Sequence, residues 1–451
     1  MSEPKSGGSG LERLKADLRL ILDSALGAVD PYKAVHSHVI REGRFLKVDS
    51  HRYDLEGVER VIVVGAGKGS ARMAVAIEEI LGDLISEGLI NVKYGHGEPL
   101  RKITVWEAGH PVPDQSGIDG ARRLLTLVKD ATERDLVICL ISGGGSSLLP
   151  QPTSGIDLIS KQETTRALLE SGATIHQVNA VRKHISDIKG GRLAQAATPA
   201  RVVSLLLSDV IGDDLDVIAS GPTVPDTTTF ATALDVLARY DLTQRVPANV
   251  LSHLQAGARN EHPETPKPGD AVFQNVVNVI IANNAGAINA AAKCAGSLGY
   301  NPMVLSSFVQ GEAREVARVM AAIAREIAVS GRPIPRPTCV IAGGETTVTL
   351  KGKGTGGRNQ ELALQASLDI ENIDNILILA AGTDGTDGPT DAAGAIASGN
   401  TLAAARGLGL SARDYLANND SYHFFEAIGD LVVTGPTGTN VMDIILILAG
   451  R

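Results

Sequence analysis

Five times along this chain an apolar run breaks off into glycines mixed with hydroxyl or carboxylate residues: Gly65 to Ser70, Ser142 to Ser147, Ser208 to Asp214, Gly343 to Thr347 and Gly382 to Asp391. A buried strand that ends this way hands the chain to a tight turn. Where a helical pattern follows, as over Ser70 to Leu81, the result is half of a strand-helix-strand unit. Further strand-like runs cover Arg60 to Val64, Leu89 to Tyr94, Lys102 to Trp106, Leu136 to Ile141, Arg201 to Leu207 and Val276 to Ile281, with helical patterns between them. Alternation sustained over this length predicts an α/β fold with a mostly parallel sheet.

A chain of 451 residues exceeds what one hydrophobic core supports, so two domains are expected. The proline-rich, polar stretch Thr243 to Asp270 marks the transition, giving an amino-terminal domain over 1–265 and a smaller one over 266–451. The last strand, Ile444 to Leu448, is a candidate to return to the first domain. The opening ten residues, MSEPKSGGSG, are polar and glycine-rich, read as disordered, and lack the apolar core of a signal peptide. With no apolar run long enough for a membrane span, a cytoplasmic protein without membrane partners is expected. A net charge of −9 and only one Trp, six Phe and seven Tyr argue against a nucleic-acid partner. The cysteines Cys139, Cys294 and Cys339 are far apart and read as reduced thiols rather than a metal or disulfide framework.

Ligands of open α/β sheets collect at the carboxyl ends of strands, which is where the glycine clusters fall. In LISGGGSSLLPQP, Gly143, Gly144 and Gly145 can present backbone N–H groups to an anion while Ser142, Ser146 and Ser147 add hydroxyls. Lys68, set between glycines before a helix, suits phosphate oxygens. The surrounding Gly65 to Ser70 misses both a dinucleotide fingerprint, which wants glycine at Ser70, and a P-loop, which wants Ser or Thr at Gly69. Asn179, Arg182 and Lys183 share one helical turn, either as a cationic wall or as a solvated face. Arg358, after four glycines, offers a bidentate fork for a transferring phosphoryl group, and its replacement by Ala is expected to spare the fold. Asp209, Asp213, Glu345, Asp384, Asp387 and Asp391 are candidates for Mg²⁺, with Asp209 and Asp384 preferred. An EF-hand is excluded because the twelfth position from Asp384 is Ala395. No G-x-S-x-G elbow accompanies the serines, and the histidines form no ligand cluster.

Taken together, GHPVPD from Gly109, LISGGGSSLLPQP from Leu140, VNAVRKHISDIKGGRLA from Val178, LSDVIGDDLDVIASGP from Leu207, GGRNQELAL from Gly356, AGTDGTDGPTDAAG from Ala381 and TGPTGTNVMD from Thr434 resemble the glycerate 2-kinase family with a carboxy-terminal MOFRL domain, also labelled hydroxypyruvate reductase. The resemblance spans nearly the whole chain. It implies a larger Rossmann-like domain with a mostly parallel sheet, a smaller α/β domain of MOFRL type, and an active site in the interdomain cleft. It implies transfer of the γ-phosphoryl group of ATP to the 2-hydroxyl of D-glycerate with Mg²⁺ as cofactor, and Lys68 and Arg358 match the family's catalytic lysine and arginine. Ser142, Gly143, Gly144, Gly145, Ser146, Ser147, Asn179 and Lys183 are then expected to bind ATP or glycerate. A homodimer is a candidate assembly. Two alternatives stay open: an NAD(P)H-dependent hydroxypyruvate reductase, and a non-catalytic sensor of sugar acids or nucleotides.

Overall fold

Every residue of Val61–Ala66 and of Leu136–Ile141 is buried, as only the middle of a sheet covered on both faces allows. In the computed structural model, which describes residues 7–451, these two strands lie side by side in a six-stranded sheet. Its spatial order is Ile103–Ala108, Ile85–Lys93, Val61–Ala66, Leu136–Ile141, Arg201–Leu207, Val276–Ala282. The first five run parallel to their neighbours. From Val61–Ala66 the chain steps outward twice in one direction, then returns to Leu136–Ile141 and continues on the other flank. The reversal puts a topological switch point between the two central strands, the position where open α/β sheets bind ligands. Their register, Val61 opposite Leu136 and Ala66 opposite Ile141, ends both strands level, so the two glycine loops emerge together.

Ser70–Leu81 and Gln115–Lys129 are amphipathic helices of this unit, the second capped by Asp114, whose carboxylate accepts from Gly117 N–H. Leu124 and Val128 meet Ile62, Val64 and Ile141 in the core beneath. A second cluster gathers Leu168, Val181, Phe230, Leu237 and Leu254 from four helices that follow the glycine loop. One of them, Ala248–Ala258, lies inside the proline-rich stretch expected to mark the domain transition. Val250 and Leu254 are fully buried there, so the prolines punctuate a packed helix. A small antiparallel sheet of Val39–Glu42, Phe45–Val48 and His51–Asp54 was not expected, because its strands are only four residues long and half their residues are polar.

The other unit contains a mixed six-stranded sheet in the order Asn301–Glu312, Thr338–Thr347, Asp443–Ala449, Ile376–Gly382, Gly394–Ser398, Leu431–Val432. Only the first pair is parallel. Helices Ala313–Ser330 and Arg358–Asp369 share its core through Ala317, Ala321, Leu362 and Ala366.

The compact units are 31–281 and 1–30 with 282–451, which corrects the expected division at 265/266. Helix Gly7–Ala28 belongs to the second unit because Asp17 accepts a hydrogen bond from Tyr300 Oη at 2.7 Å and Ser24 Oγ donates to the Ala290 carbonyl at 3.4 Å. Residues 7–10 of the expected disordered start are therefore helical, and residues 1–6 lie outside the described residues. The last strand pairs with Thr338–Thr347 on one side and Ile376–Gly382 on the other, so it does not return to the first unit. All three cysteines are free thiols, and among the described residues no helix is long and apolar enough to cross a membrane.

Candidate active site

The loops after the two central strands are pinned to each other by short polar contacts. Lys68 N–H donates to the Gly143 carbonyl at 2.9 Å, Gly69 N–H donates to Ser142 Oγ at 2.9 Å, and Ser70 Oγ donates to the Leu140 carbonyl at 3.0 Å. Gly67 is obligatory: its φ is +145°, and a Cβ there would stand 2.0 Å from Ser142 Oγ. Ser142, expected among the ligand hydroxyls, is instead the buried pin between the loops. It also fills the hollow beside Gly67 that a dinucleotide pyrophosphate would need.

Gly144 lies in the left-handed region at φ +84°, where a Cβ would come within 2.9 Å of the His110 ring and 3.6 Å of Lys68 Cγ. Its N–H lies near enough to the carboxylate of Asp209, from the loop after Arg201–Leu207, to favour that group's charged form. Burial raises the Asp209 pKa, opposed by its own backbone N–H, the Lys68 charge and the Gly144 N–H. The glycine turn thus already meets an anion belonging to the chain. Lys68, His110, Gly144 and Asp209 come together here. His110 reads as an isolated histidine in the sequence because nothing local ties it to residues 34 or more positions away.

The far side of the same turn is held differently. Ser146 Oγ shares a hydrogen bond with Ser220 Oγ at 2.9 Å, and Ser220 donates to Asn179 Oδ1 at 3.0 Å. Ala219, Ser220 and Gly221 all have positive φ, at 50°, 62° and 60°. For the two non-glycines this is a strained conformation that only surrounding contacts sustain. Lys189 Nζ donates to the Ser146 carbonyl at 2.7 Å and to its Oγ at 3.2 Å. Gly145 and Ser147 complete the turn with N–H bonds back to Ser142 and Gly144, both at 3.1 Å.

Asn179 therefore reaches the loop, whereas Lys183 does not join it. Lys183 Nζ lies 3.0 Å from Asp216 and 3.3 Å from Asp226, and both Lys183 and Asp226 are buried. Four residues along the helix from Asn179, it serves a buried ion pair rather than a ligand, a correction to the shared-face expectation.

In the other unit Arg358 opens helix Arg358–Asp369, as the glycine run predicts. Its Nε and Nη2 hold the two oxygens of Asp443 at 2.6 and 2.9 Å, and Nη1 lies 2.8 Å from Glu345 Oε1. Burial raises the Asp443 pKa against the pull of Arg358, while Asp443 and Glu345 hold the guanidinium firmly protonated. Asp387 caps the same helix, accepting from Asn359 and Gln360 N–H at 3.1 and 2.8 Å. Its pKa is pushed up to about 7, chiefly by burial and further by Asp443. Arg358, Asp384, Asp387, Thr346 and Gly356 line a cavity of about 550 Å³. Asp384 Oδ1 accepts from Thr386 N–H and Oγ1 at 3.1 and 3.0 Å, an ordinary turn.

No group of three His, Cys, Asp or Glu among the described residues converges to cage a metal. A magnesium ion carried by phosphates needs only one or two protein carboxylates, so the absence of such a cage does not bear on it.

Two family models match the chain: a domain of unknown function, DUF4147, over residues 17–255, and the MOFRL family over residues 338–443. A D-glycerate 2-kinase of Thermotoga maritima is 46% identical over 392 residues, covering 86% of this chain and 90% of that one. A glycerate 2-kinase of Pyrococcus horikoshii is 44% identical over 430 residues, 95% of this chain and 96% of the relative. The crystal structure of a glycerate kinase from Thermotoga maritima superposes with a TM-score of 0.86 at 42% identity, covering 97% of this chain and all of that one.

Proposed function

Given that this chain belongs to the glycerate 2-kinase family with a carboxy-terminal MOFRL domain, and so is a glycerate kinase, we propose that it transfers the γ-phosphoryl group of ATP to the 2-hydroxyl of D-glycerate, releasing 2-phosphoglycerate and ADP. The observation that carries the reading is the meeting of Lys68, Asp209 and Gly144 at the switch point of the parallel sheet. Phosphoryl transfer asks a protein mainly for positioning and for charges aimed at the transferring group. The Lys68 ammonium supplies one such charge. Asp209, its basicity raised by burial, accepts the proton that leaves the 2-hydroxyl. Arg358 supplies a second cation, oriented by Asp443 and Glu345. A magnesium ion bound with the nucleotide would neutralise phosphate charge, and Asp384 would offer it a hard oxygen donor.

Lys68 and Arg358 are each required for turnover under this reading. The test is ADP release from MgATP with and without D-glycerate. Glycerate-dependent release is expected in the wild type, reduced about 10²–10⁴-fold in Asp209→Asn as for loss of a general base. Undiminished release in Asp209→Asn would remove that residue from the chemistry.

A further inference from the structure

Behind the Ser146 side of the glycine turn lie three cations that the kinase reading does not use. Lys161 comes from helix Leu158–Glu170, Arg182 from helix Ile175–His184 and Lys189 from the segment that follows. Lys161 and Lys189 are 4% and 1% exposed. Repulsion from Arg182 reaches both lysines, and Lys161 also repels Lys189. Asp187 attracts Lys161, yet among the described residues none of the three cations makes an ion pair. Unpaired burial is the costly way to place a lysine. Lys183, on the same helix as Arg182, shows the usual alternative, two carboxylates within ion-pair distance.

The hydrogen-bond inventory is equally incomplete. An ammonium has three N–H donors. Lys161 uses one, to the Gln151 carbonyl at 3.3 Å, and Lys189 uses two, both on Ser146. Asn179 Nδ2 is buried with no partner among the described residues, although the Asn179 oxygen is linked through Ser220 to the same Ser146. Arg182 is half-buried, and burial lowers the pKa of its guanidinium. Buried polar groups in folded proteins are normally satisfied. Of the unmet groups in the cluster, the lysine N–H groups and Asn179 Nδ2 are donors, Gln151 Oε1 beside Lys161 is an acceptor, and three of the four residues named are basic.

We propose that Lys161, Arg182, Lys189 and the Asn179 amide form a binding site for a small oxyanion, the carboxylate or phosphate of a reactant, on the Ser146 side of the glycine turn. The site deepens the kinase reading and rests on it only for the oxyanion's source: the carboxylate of D-glycerate or a phosphate of the nucleotide. It also gives the strained Ala219 to Gly221 segment a purpose, since Ser220 aligns Ser146 and Asn179 beside the cations.

The experiment is thermal denaturation of the full chain without magnesium, in inorganic phosphate, D-glycerate or ATP at about 10 mM with sodium chloride matched for ionic strength. Lys161→Met and Arg182→Gln are run beside the wild type. In the wild type at least one of the three anions raises Tm by about 3–5 °C over sodium chloride. Both variants lose most of that shift, and their affinity for the same anion, measured calorimetrically, falls at least about 10-fold. Lys161→Met has a higher Tm than the wild type without anion, which shows that it folds. A shift from D-glycerate alone identifies the carboxylate, and a shift from phosphate and ATP alone identifies the phosphate. No shift in the wild type, or equal shifts in wild type and both variants, overturns the site. Absence of phosphoglycerate with the variant-sensitive shift intact would remove the kinase reading and leave the site standing. Product formed without any shift would do the reverse.

Discussion

Arg358→Ala is expected to cost stability as well as turnover, against the expectation from its glycine-rich approach that the fold would be spared. The guanidinium holds both oxygens of Asp443, whose side chain is 3% exposed. Removing it strands a buried carboxylate, and breaking a buried pair from one side typically costs about 3–5 kcal/mol. At about 2–4 °C per kcal/mol for a unit of this size, calorimetry should show Tm falling by roughly 6–20 °C. Adding Asp443→Asn removes the stranded charge, so the double variant should recover about half or more of the loss. Turnover should not recover with it, because the lost phosphoryl-directed cation is not replaced. The pH dependence has a definite sign. In the single variant the folded pKa of Asp443 lies above its unfolded value of about 3.9, so the penalty is absent below that pH and grows as pH rises through the folded value. An unchanged Tm in Arg358→Ala, or a double variant no more stable than the single one, would refute the reasoning.

Four further outcomes follow from the same geometry. Lys68→Met should abolish most glycerate-dependent ADP release, whereas Lys183→Met, which removes a cation from buried Asp226, should destabilise by about 3–5 kcal/mol; retained turnover in the first or an unchanged Tm in the second would contradict this assignment of roles. Gly67→Ala must accommodate a Cβ 2.0 Å from Ser142 Oγ, so chemical denaturation should show a loss of about 3 kcal/mol or more. Ser220→Ala removes the bridge to Asn179 and should cost about 1–3 kcal/mol, while Ser220→Gly loses the same bridge but relieves the positive φ and should be less harmful by up to about 1 kcal/mol. Burial, with Arg182 nearby and Asp187 opposing, pushes the Lys161 pKa down to about 7. Wild-type stability should therefore rise between pH 7 and about 10, relative to Lys161→Met, by at most roughly 5 kcal/mol; a pH-independent difference would contradict it.

What could be read from the chain before its structure was whatever is signalled locally. Val61–Ala66, Leu136–Ile141 and Arg201–Leu207 announce themselves as apolar runs cut by glycine, and the start of helix Arg358–Asp369 by the glycines before it. Strand Asn301–Glu312 is an edge strand with no residue fully buried and two register shifts, so neither alternation nor an apolar run marks it. Side-chain roles were less legible still. Lys183 and Arg182 are adjacent, yet one turns to two carboxylates and the other to two lysines, a difference made by packing rather than spacing. Ser142 and Ser146 look equivalent in sequence, but one is sealed between loops and the other joins a polar chain. Lys161 and Lys189 gave no signal because isolated lysines in helical or loop segments ordinarily face solvent.

The central claim is the transfer itself, and the position of the phosphate on its product tests it most directly. The purified chain is incubated with MgATP and D-glycerate, and the product is examined by phosphorus and carbon NMR. The account predicts 2-phosphoglycerate, with ADP formed in equal amount. Phosphate on the 3-hydroxyl, or no phosphoglycerate alongside rapid oxidation of NADH by hydroxypyruvate, would contradict it.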